Sequence, residues 1–398
     1  MENLHPEPPM NSGFADTNCD VLILGGGMSG LALAHYIADY NDHCEKLSKT
    51  TWVVEPRQTY ERDKTWCYWQ QQTTPFDAAV THRWYRWQIS YNGQTHICEC
   101  SELPYVRVDS QRYYALAQAR LDKSKSVNLL TGTKATKVDV KQTKVSVSCD
   151  DLQYEADLVY DTRPKDVAPN TLLQHFVGWE ITTDRDTFDP ETVTLMDFQS
   201  TKGGDIHFFY VLPFDKRRAL IETTHFSKTL LPDKVYEEEL RTYLTEQLGI
   251  CEWQIQHEER GIIPMPKNTA SHTQRSHQNL IPFGLHGGTA KPSTGYCYPH
   301  AHSQAQQHAS QLFAARAQTA SAARGLLPRW LDTVFISFLE HQSEQAAGTF
   351  LQLFRRVPAP ALVRFLSDNA KPTDYIQVIL AMPKLSFIRE AFRCVRNT

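Results

Sequence analysis

The apolar run Val21-Leu22-Ile23-Leu24 stops at Gly25-Gly26-Gly27-Met28-Ser29-Gly30 and passes into Leu31-Ala32-Leu33-Ala34. A short run that is apolar on both faces is the pattern of a buried parallel strand, and the glycines and Leu/Ala stretch behind it predict a tight turn into a helix. A second apolar run, Thr51-Trp52-Val53-Val54, ends in Glu55 and completes a strand-helix-strand unit. From about residue 80 to 108 the pattern is one of short strands, with Tyr91-Asn92-Gly93-Gln94 as a hairpin turn. Arg112 to Leu121 reads as a helix. Lys144-Val145-Ser146-Val147-Ser148 alternates with period two, and the strands of that region end in Leu158-Val159-Tyr160 and Asp161.

Residues 174–265 predict a second, mostly antiparallel layer that contains Phe208-Phe209-Tyr210-Val211-Leu212-Pro213-Phe214 and Arg218-Ala219-Leu220-Ile221-Glu222-Thr223-Thr224. An amphipathic helix is expected between Asp233 and Leu248. The chain returns to glycine-rich sequence at Gly284 to Gly295, followed by an Ala/Gln/His helix from about Tyr298 to Arg324 and a helical remainder from Trp330. The predicted class is α/β: a Rossmann-type nucleotide domain, an inserted mixed or antiparallel sheet, and a helical C-terminal region. The expected divisions are a flexible tail over 1–18, a nucleotide domain over 19–80, 110–165 and 275–325, a substrate domain over 81–109 and 166–274, and a helical lid or membrane-contact region over 326–398.

Gly25, Gly27 and Gly30 fit the G-x-G-x-x-G spacing. The first permits the turn, the second lets backbone approach a pyrophosphate, and the third lets the helix pack on its strand. The free N–H groups around Met28 and Ser29 would then face phosphate. Glu55 stands where an acid should meet a ribose 2′-hydroxyl, which favours FAD or NAD over NADP. With 41% apolar and 22% charged residues and a net charge of −4, the 398-residue chain has no electrostatic footprint for nucleic acid. Nine scattered cysteines read as reduced thiols in a cytoplasmic protein. The first twenty residues lack a basic and an apolar region, so no signal peptide is expected, and no apolar stretch is long enough to span a bilayer. His300, His302 and His308 read as a solvated helix face, and no metal is expected.

The order of these parts resembles the FAD-binding fold of aromatic hydroxylases and geranylgeranyl reductases. Gly284-Leu285-His286-Gly287-Gly288-Thr289-Ala290-Lys291-Pro292-Ser293-Thr294-Gly295 is similar to that superfamily's third flavin motif, although Leu285 stands in place of its Asp. Within the superfamily, six segments resemble the bacterial lycopene β-cyclases. They are Lys64 to Trp69, Gln174 to Trp179, Leu195 to Phe198, Phe209 through Ser227, Gly261 to Met265, and Lys291 to Tyr296. The resemblance implies reduced FAD, with NAD(P)H as electron donor, and a carotenoid or related polyene substrate. It also implies cyclisation without net redox change: an acid protonates a terminal double bond, a cation closes a ring, and a proton leaves.

Glu222 lies in an apolar strand, where a carboxylate is out of place unless it is paired or functional. It matches the family's catalytic glutamate; pairing with Arg217 or Arg218 at a strand end is the alternative. Asp197 is a second acid in an apolar setting, placed to orient Glu222 or to fix a loop. Trp66, Tyr68 and Trp69, with Phe209 and Tyr296, are candidates to line a cation-stabilising pocket; core packing is the other reading. Arg62 and Lys64 are placed to reach FAD phosphate. Gly287, Gly288, Lys291, Thr294 and Gly295 belong to the flavin segment, where Lys291 would hold an anionic ring and His286 would tune its charge. Apolar residues among Arg355, Arg356, Arg389, Arg393 and Arg396 predict peripheral contact with a membrane surface. A redox hydroxylase or prenyl reductase on the same scaffold, or a carotenoid or flavin carrier, remain the other readings.

Overall fold

The computed structural model describes residues 18–44, 47–150, 152–198, 205–267, 277–314 and 325–396. The tail expected over 1–18 lies, apart from Asn18, outside the described residues, as does the expected end of the Ala/Gln/His helix over 315–324. The chain opens with β1 (Asn18–Leu24), α1 (Met28–His43) and β2 (Thr51–Glu55), followed by β3 (Thr65–Trp69), β4 (Val80–Trp84), β5 (Arg86–Tyr91), β6 (Gln94–Glu99) and β7 (Tyr105–Asp109). Next come α2 (Ser110–Leu121), β8 (Val127–Thr131), β9 (Ala135–Val140), β10 (Val145–Cys149) and β11 (Leu152–Asp161). The long strands β12 (Leu172–Thr183), β13 (Thr192–Phe198), β14 (Ile206–Pro213) and β15 (Arg218–Ser227) precede α3 (Asp233–Thr242), β16 (Trp253–Met265) and β17 (Leu280–Pro282). Six helices close the described chain: α4 (Tyr298–Phe313), α5 (Leu326–His341), α6 (Ser343–Arg356), α7 (Ala359–Leu366), α8 (Pro372–Ala381) and α9 (Lys384–Arg396).

Three sheets follow. The nucleotide sheet has the order β8-β2-β1-β11-β10-β9, with β17 added in parallel on β11 and the β8-β2-β1-β11 part wholly parallel. Val21 through Leu24 are at most 1% exposed, as a strand covered on both faces requires. The large sheet has the order β16-β12-β15-β14-β13-β5-β6 and is antiparallel except where β5 meets β13. Its β5–β6 hairpin turns at Asn92 and Gly93, both with positive φ, as the Asn-Gly pair predicts. The remaining β3-β7-β4 sheet contributes to two cores, Trp69, Trp84 and Tyr105 to the one shared with the large sheet and Tyr68, Val106 and Val108 to the one shared with the nucleotide domain.

The large sheet buries both faces. Val177, Trp179, Phe209, Val211 and Ile221 pack under Tyr236, Leu240 and Tyr243 of α3 and the π-helical turn Tyr243–Gln247 that continues it. Phe198, Phe208, Leu212, Leu220 and Phe226 face the other way, into a core shared with Trp69, Trp84, Tyr105 and the C-terminal helices through Ile336, Phe338, Phe350 and Leu362. The expected amphipathic helix is therefore present, but its regular part stops at Thr242. One sequence reading is corrected here. His302 and His308 are 3% and 1% exposed, packed against Tyr113 and Tyr160, so they belong to the core between α4 and the nucleotide domain and not to a solvated face. The period of the helix, not its composition, decides which side they take.

Candidate active site

At the first turn, Gly25 adopts φ +100° and its N–H donates to the Val54 carbonyl at 2.9 Å, so the chain reverses at the carboxyl ends of two parallel strands. A Cβ on Gly30 would lie 2.0 Å from the Gly25 carbonyl oxygen, which is the close helix packing the spacing predicts. A Cβ on Gly27 would meet nothing within 4 Å, so the face presented by this residue at the start of α1 is open. Gly284, at φ +62°, lies against the same helix end, where a Cβ would come 2.6 Å from Ser29 Oγ. The Gly284–Gly288 turn thus borders the N-terminus of α1, and the open cradle fits a dinucleotide pyrophosphate.

The charged residues around this cradle have protein partners. Glu55 accepts from the Gly26 N–H at 2.7 Å through one oxygen and from Arg57 Nε at 2.8 Å through the other. Arg62 points to the large sheet, where its guanidinium pairs with buried Glu180 at 2.8 Å. Lys291 is 2% exposed and is held by Asp332 at 2.7 Å and Asp368 at 2.9 Å. Its charge is compensated by the C-terminal helical region. Thr294 Oγ1 accepts from the Tyr296 N–H, and Gly295 packs against Ile263 and Gln174 of the large sheet. His286 lies 3.6 Å from Asp161, whose ionisation burial opposes but whose hydrogen bonds from Arg163 hold its pKa below the usual carboxylate range.

The second centre is an acid pair that spans a strand. Gly178 on β12 is in register with Glu222 on β15 and with Glu259 on β16. Neighbouring strands lie about 4.8 Å apart, so the two glutamates start about 10 Å apart and must reach over β12 to meet. They do meet: their carboxyl groups share a hydrogen bond. Gly178 makes this possible, since a Cβ there would stand 2.8 Å from Glu222 Cγ and 3.4 Å from Glu259 Cγ. Burial, and after it the charge of Glu259 and the shared proton, raise the Glu222 pKa well above the ordinary 4.5. Glu259 also accepts from Thr65 Oγ1 at 2.7 Å. The alternative pairing of Glu222 with an arginine does not occur, because Arg218 bonds Glu180 at 2.6 Å and Arg217 bonds Asp186 at 2.8 Å.

Around the pair the surface is aromatic. Tyr210 is in register with Glu222 on β14, and Tyr105, Tyr210 and Tyr296 are joined by hydrogen bonds. Trp69 packs on Tyr105 and Tyr296 at ring separations of 4.9 and 5.5 Å. Cys67 lies within the electrostatic reach of both glutamates, and burial pushes its thiol up.

Strand alternation separates several residues that the sequence reading grouped. Trp66 and Tyr68 face the nucleotide core, with Tyr68 stacked on Tyr298 at 4.7 Å, while Trp69 faces the acid pair's side. Phe209 stacks on Tyr243 at 3.9 Å beneath α3, and Asp197 accepts from the Tyr243 hydroxyl at 2.7 Å on that same face. Asp197 is paired in register with Phe209 and so lies on the opposite face from Glu222. It therefore does not meet Glu222, whose carboxyl partner is Glu259. Burial raises the Asp197 pKa. Glu259, Tyr210, Tyr105, Thr65 and Gly178 were absent from the sequence-derived set. The signals available were an acid inside a strand at Glu259 and a glycine inside another at Gly178.

A family model described as lycopene cyclase protein matches residues 20–392. A lycopene beta-cyclase of Paracoccus sp. is 27% identical over 233 residues, a match covering 56% of this chain and 59% of that protein, so only about three fifths of that relative's length is spanned. A lycopene beta-cyclase of Pantoea ananas is 22% identical over 385 residues, covering 92% of this chain and 94% of its own. Among solved structures, a flavoprotein/dehydrogenase from Cytophaga hutchinsonii superposes with TM-score 0.62 over 94% of this chain and 100% of its own at 11% identity, a likeness of fold.

Proposed function

This chain belongs to the lycopene cyclase family, and from that premise we propose that it is an FAD-dependent, non-redox cyclase that forms β-ionone rings at the ends of lycopene. The observation that carries the reading is Glu222: a partly buried acid whose pKa burial and Glu259 raise well above its ordinary value, set among Tyr210, Tyr296 and Trp69. A carboxylic acid kept neutral at physiological pH is what protonation of an unactivated double bond requires. Proton transfer from Glu222 to the terminal double bond leaves a cation, the chain closes on itself, and the proton lost from the new ring returns to the Glu222–Glu259 pair. The reaction is then an isomerisation and the acid is regenerated. Tyrosine and tryptophan faces attract the cation through their quadrupoles and offer no base strong enough to trap it.

FAD fits the cradle of Gly25, Gly27, Met28, Ser29 and Gly30, with Glu55 toward the ribose and the Gly287–Gly288 turn beside it. When bound in its reduced form, with NAD(P)H as the donor class, it supplies negative charge near the developing cation. The protein's own residues hold the proton, shape the polyene and exclude water.

The substrate is a bilayer solute, and the surface carries a matching feature. On α9, Leu385, Ile388, Phe392 and Val395 form an exposed stripe beside Arg389 and Arg396, and on α8 Ile376, Ile379 and Leu380 are exposed as well. No helix among the described residues is long and apolar enough to cross a membrane. A basic, apolar surface of this kind supports peripheral docking of a cytoplasmic protein on a membrane.

The test is expression in lycopene-accumulating cells, with Glu222→Gln alongside. The expected product has the mass of lycopene and absorbs at shorter wavelength, and Glu222→Gln abolishes it while still binding FAD. A product heavier by oxygen or hydrogen would overturn the reading in favour of a redox flavoenzyme.

A further inference from the structure

On the α3 face of the large sheet, away from the acid pair, three histidines stand side by side across three strands: His175 on β12, His225 on β15 and His207 on β14, all in register. They differ in how their nitrogens are used. His175 is fully engaged, with Nε2 on Ser227 Oγ at 2.9 Å and Nδ1 on the Tyr236 hydroxyl at 2.7 Å. His207 and His225 instead stack at 4.2 Å with their planes 3° apart. Both turn Nε2 toward a single oxygen of Glu239, which α3 lowers onto the sheet.

We propose that His207, His225 and Glu239 form a divalent transition-metal site, of the zinc class, that ties α3 to the back of β14 and β15. The donor spacing carries the argument. Glu239 Oε2 is 3.0 Å from His225 Nε2 and 3.6 Å from His207 Nε2, and all three donor atoms lie within 4.8 Å of one another. Zinc bonds of about 2.0–2.1 Å to nitrogen and oxygen in a tetrahedron place neighbouring donors about 3.3 Å apart, a spacing the two Glu239–histidine distances bracket, and an ion would draw the two stacked rings out of parallel so that both Nε2 lone pairs meet it. The chemistry matches too: two imidazoles and one carboxylate are a His2Glu set. Burial, the first cause, lowers the His207 pKa to about 4, so its imidazole is neutral at physiological pH. The Glu239 pKa lies below its ordinary value because, against its burial, hydrogen bonds from His225 and Thr223 favour the ionised form.

The surroundings support the set. Thr223 Oγ1 lies 2.8 Å from His207 Nε2 and donates to Glu239 Oε2 at 2.7 Å, which fixes the carboxylate orientation that the histidines meet. The side chains of His207 and Glu239 keep 15% and 22% exposure, enough for an ion to enter and for water to complete a fourth position, whereas His225 at 5% anchors the floor. Because two ligands come from adjacent strands and the third from a helix, metal binding would cross-link elements otherwise held by apolar packing. Thr223 follows Glu222 in the chain, so the tie also stiffens the strand that carries the acid. The site stands independently of the cyclase reading and would hold for any activity of the acid pair.

The test uses the full-length chain without an affinity tag, stripped with EDTA and desalted. Zinc chloride is added, unbound metal is removed by gel filtration, and bound zinc is counted by mass spectrometry of the metal. The expected result is one zinc per chain and a melting temperature that rises with zinc concentration. His207→Gln and Glu239→Gln should bind at least about a hundredfold more weakly, beyond what loss of a supporting hydrogen bond to a metal ligand brings. Cobalt(II) titration of the unmodified chain gives a second readout that needs no variant: a tetrahedral His2Glu site yields intense visible bands, and solvated or surface-bound cobalt does not. Absence of retained zinc, zinc retained equally by both variants, or only the weak cobalt spectrum would each overturn the proposal.

Discussion

Glu259→Gln isolates what the second carboxyl does for the first. In the native pair the carboxyl groups share a hydrogen bond, so their charge centres are about 4 Å apart. At an effective dielectric constant of about 20, two like charges at that distance repel by about 4 kcal/mol. That repulsion, added to burial, holds the Glu222 pKa above its ordinary value. Glutamine removes the repulsion and offers an amide N–H to the ionised form, and both effects lower the Glu222 pKa, while burial continues to raise it. A lower Glu222 pKa is expected in the variant. The assay is the initial cyclisation rate in lycopene-loaded vesicles with reduced FAD over roughly pH 5–9. Above the acid's pKa the rate should drop about tenfold per pH unit, so the variant's alkaline limb moves acidward. Its plateau at low pH should stay within about threefold of wild type, because Glu222 still delivers the proton there. An unmoved alkaline limb, or a lost plateau with the limb in place, would refute the shared-proton argument and leave Glu259 a structural residue.

Three further outcomes follow from the geometry. Because the Glu222 pKa is raised in the fold, the native state holds a proton that the unfolded chain releases above pH 4.5, and stability falls as pH rises from there to the folded pKa. Glu222→Gln should therefore be more stable than wild type at alkaline pH, by about 1.4 kcal/mol per unit of elevation, with the difference vanishing below the unfolded pKa; urea midpoints across pH decide this. Gly178→Ala should cut turnover at least about tenfold with FAD content unchanged, because its Cβ would stand 2.8 Å from Glu222 Cγ and part the two acids. Leu385→Glu with Phe392→Glu removes two exposed apolar side chains from α9, each worth about 1.5–3 kcal/mol when buried, so co-sedimentation with anionic vesicles should weaken by about a hundredfold or more.

Much of the fold was legible because its signals are local. The run at Val21–Leu24, the glycine spacing and the Asn92–Gly93 turn each encode their own conformation through sterics and burial. Glu222 was legible for a related reason: a lone carboxylate in Ala219-Leu220-Ile221 contradicts its neighbours. The rest depends on partners far along the chain. Glu259 becomes an acid-pair member only because β12 lies between its strand and that of Glu222, and nothing in Glu258-Glu259 announces this. Asp197 and Phe209 look as eligible as Glu222 until the period of two, set by register with β14 and β15, assigns them to the α3 face. Trp66, Tyr68 and Trp69 divide between two cores for the same reason. His302 and His308 were misplaced because an Ala/Gln/His composition resembles a solvated helix, and only the packing of α4 on the nucleotide domain shows otherwise.

The Lys291 contacts have a mechanical reading. Asp332 belongs to α5 and Asp368 follows α7, while Lys291 lies just beyond the Gly284–Gly288 turn that borders the first helix's N-terminus, in a turn of its own closed on Tyr296. One buried ammonium thus acts as a rivet through three segments, and parting any of them strands a charge away from water, a change of about 3–5 kcal/mol. The helices that offer apolar side chains outward are for this reason not a loose skirt around a finished enzyme. Under the proposed docking on a lipid surface, a tilt of these helices would pull on Lys291 and, through it, on the glycine-rich segment that follows the Gly284–Gly288 turn.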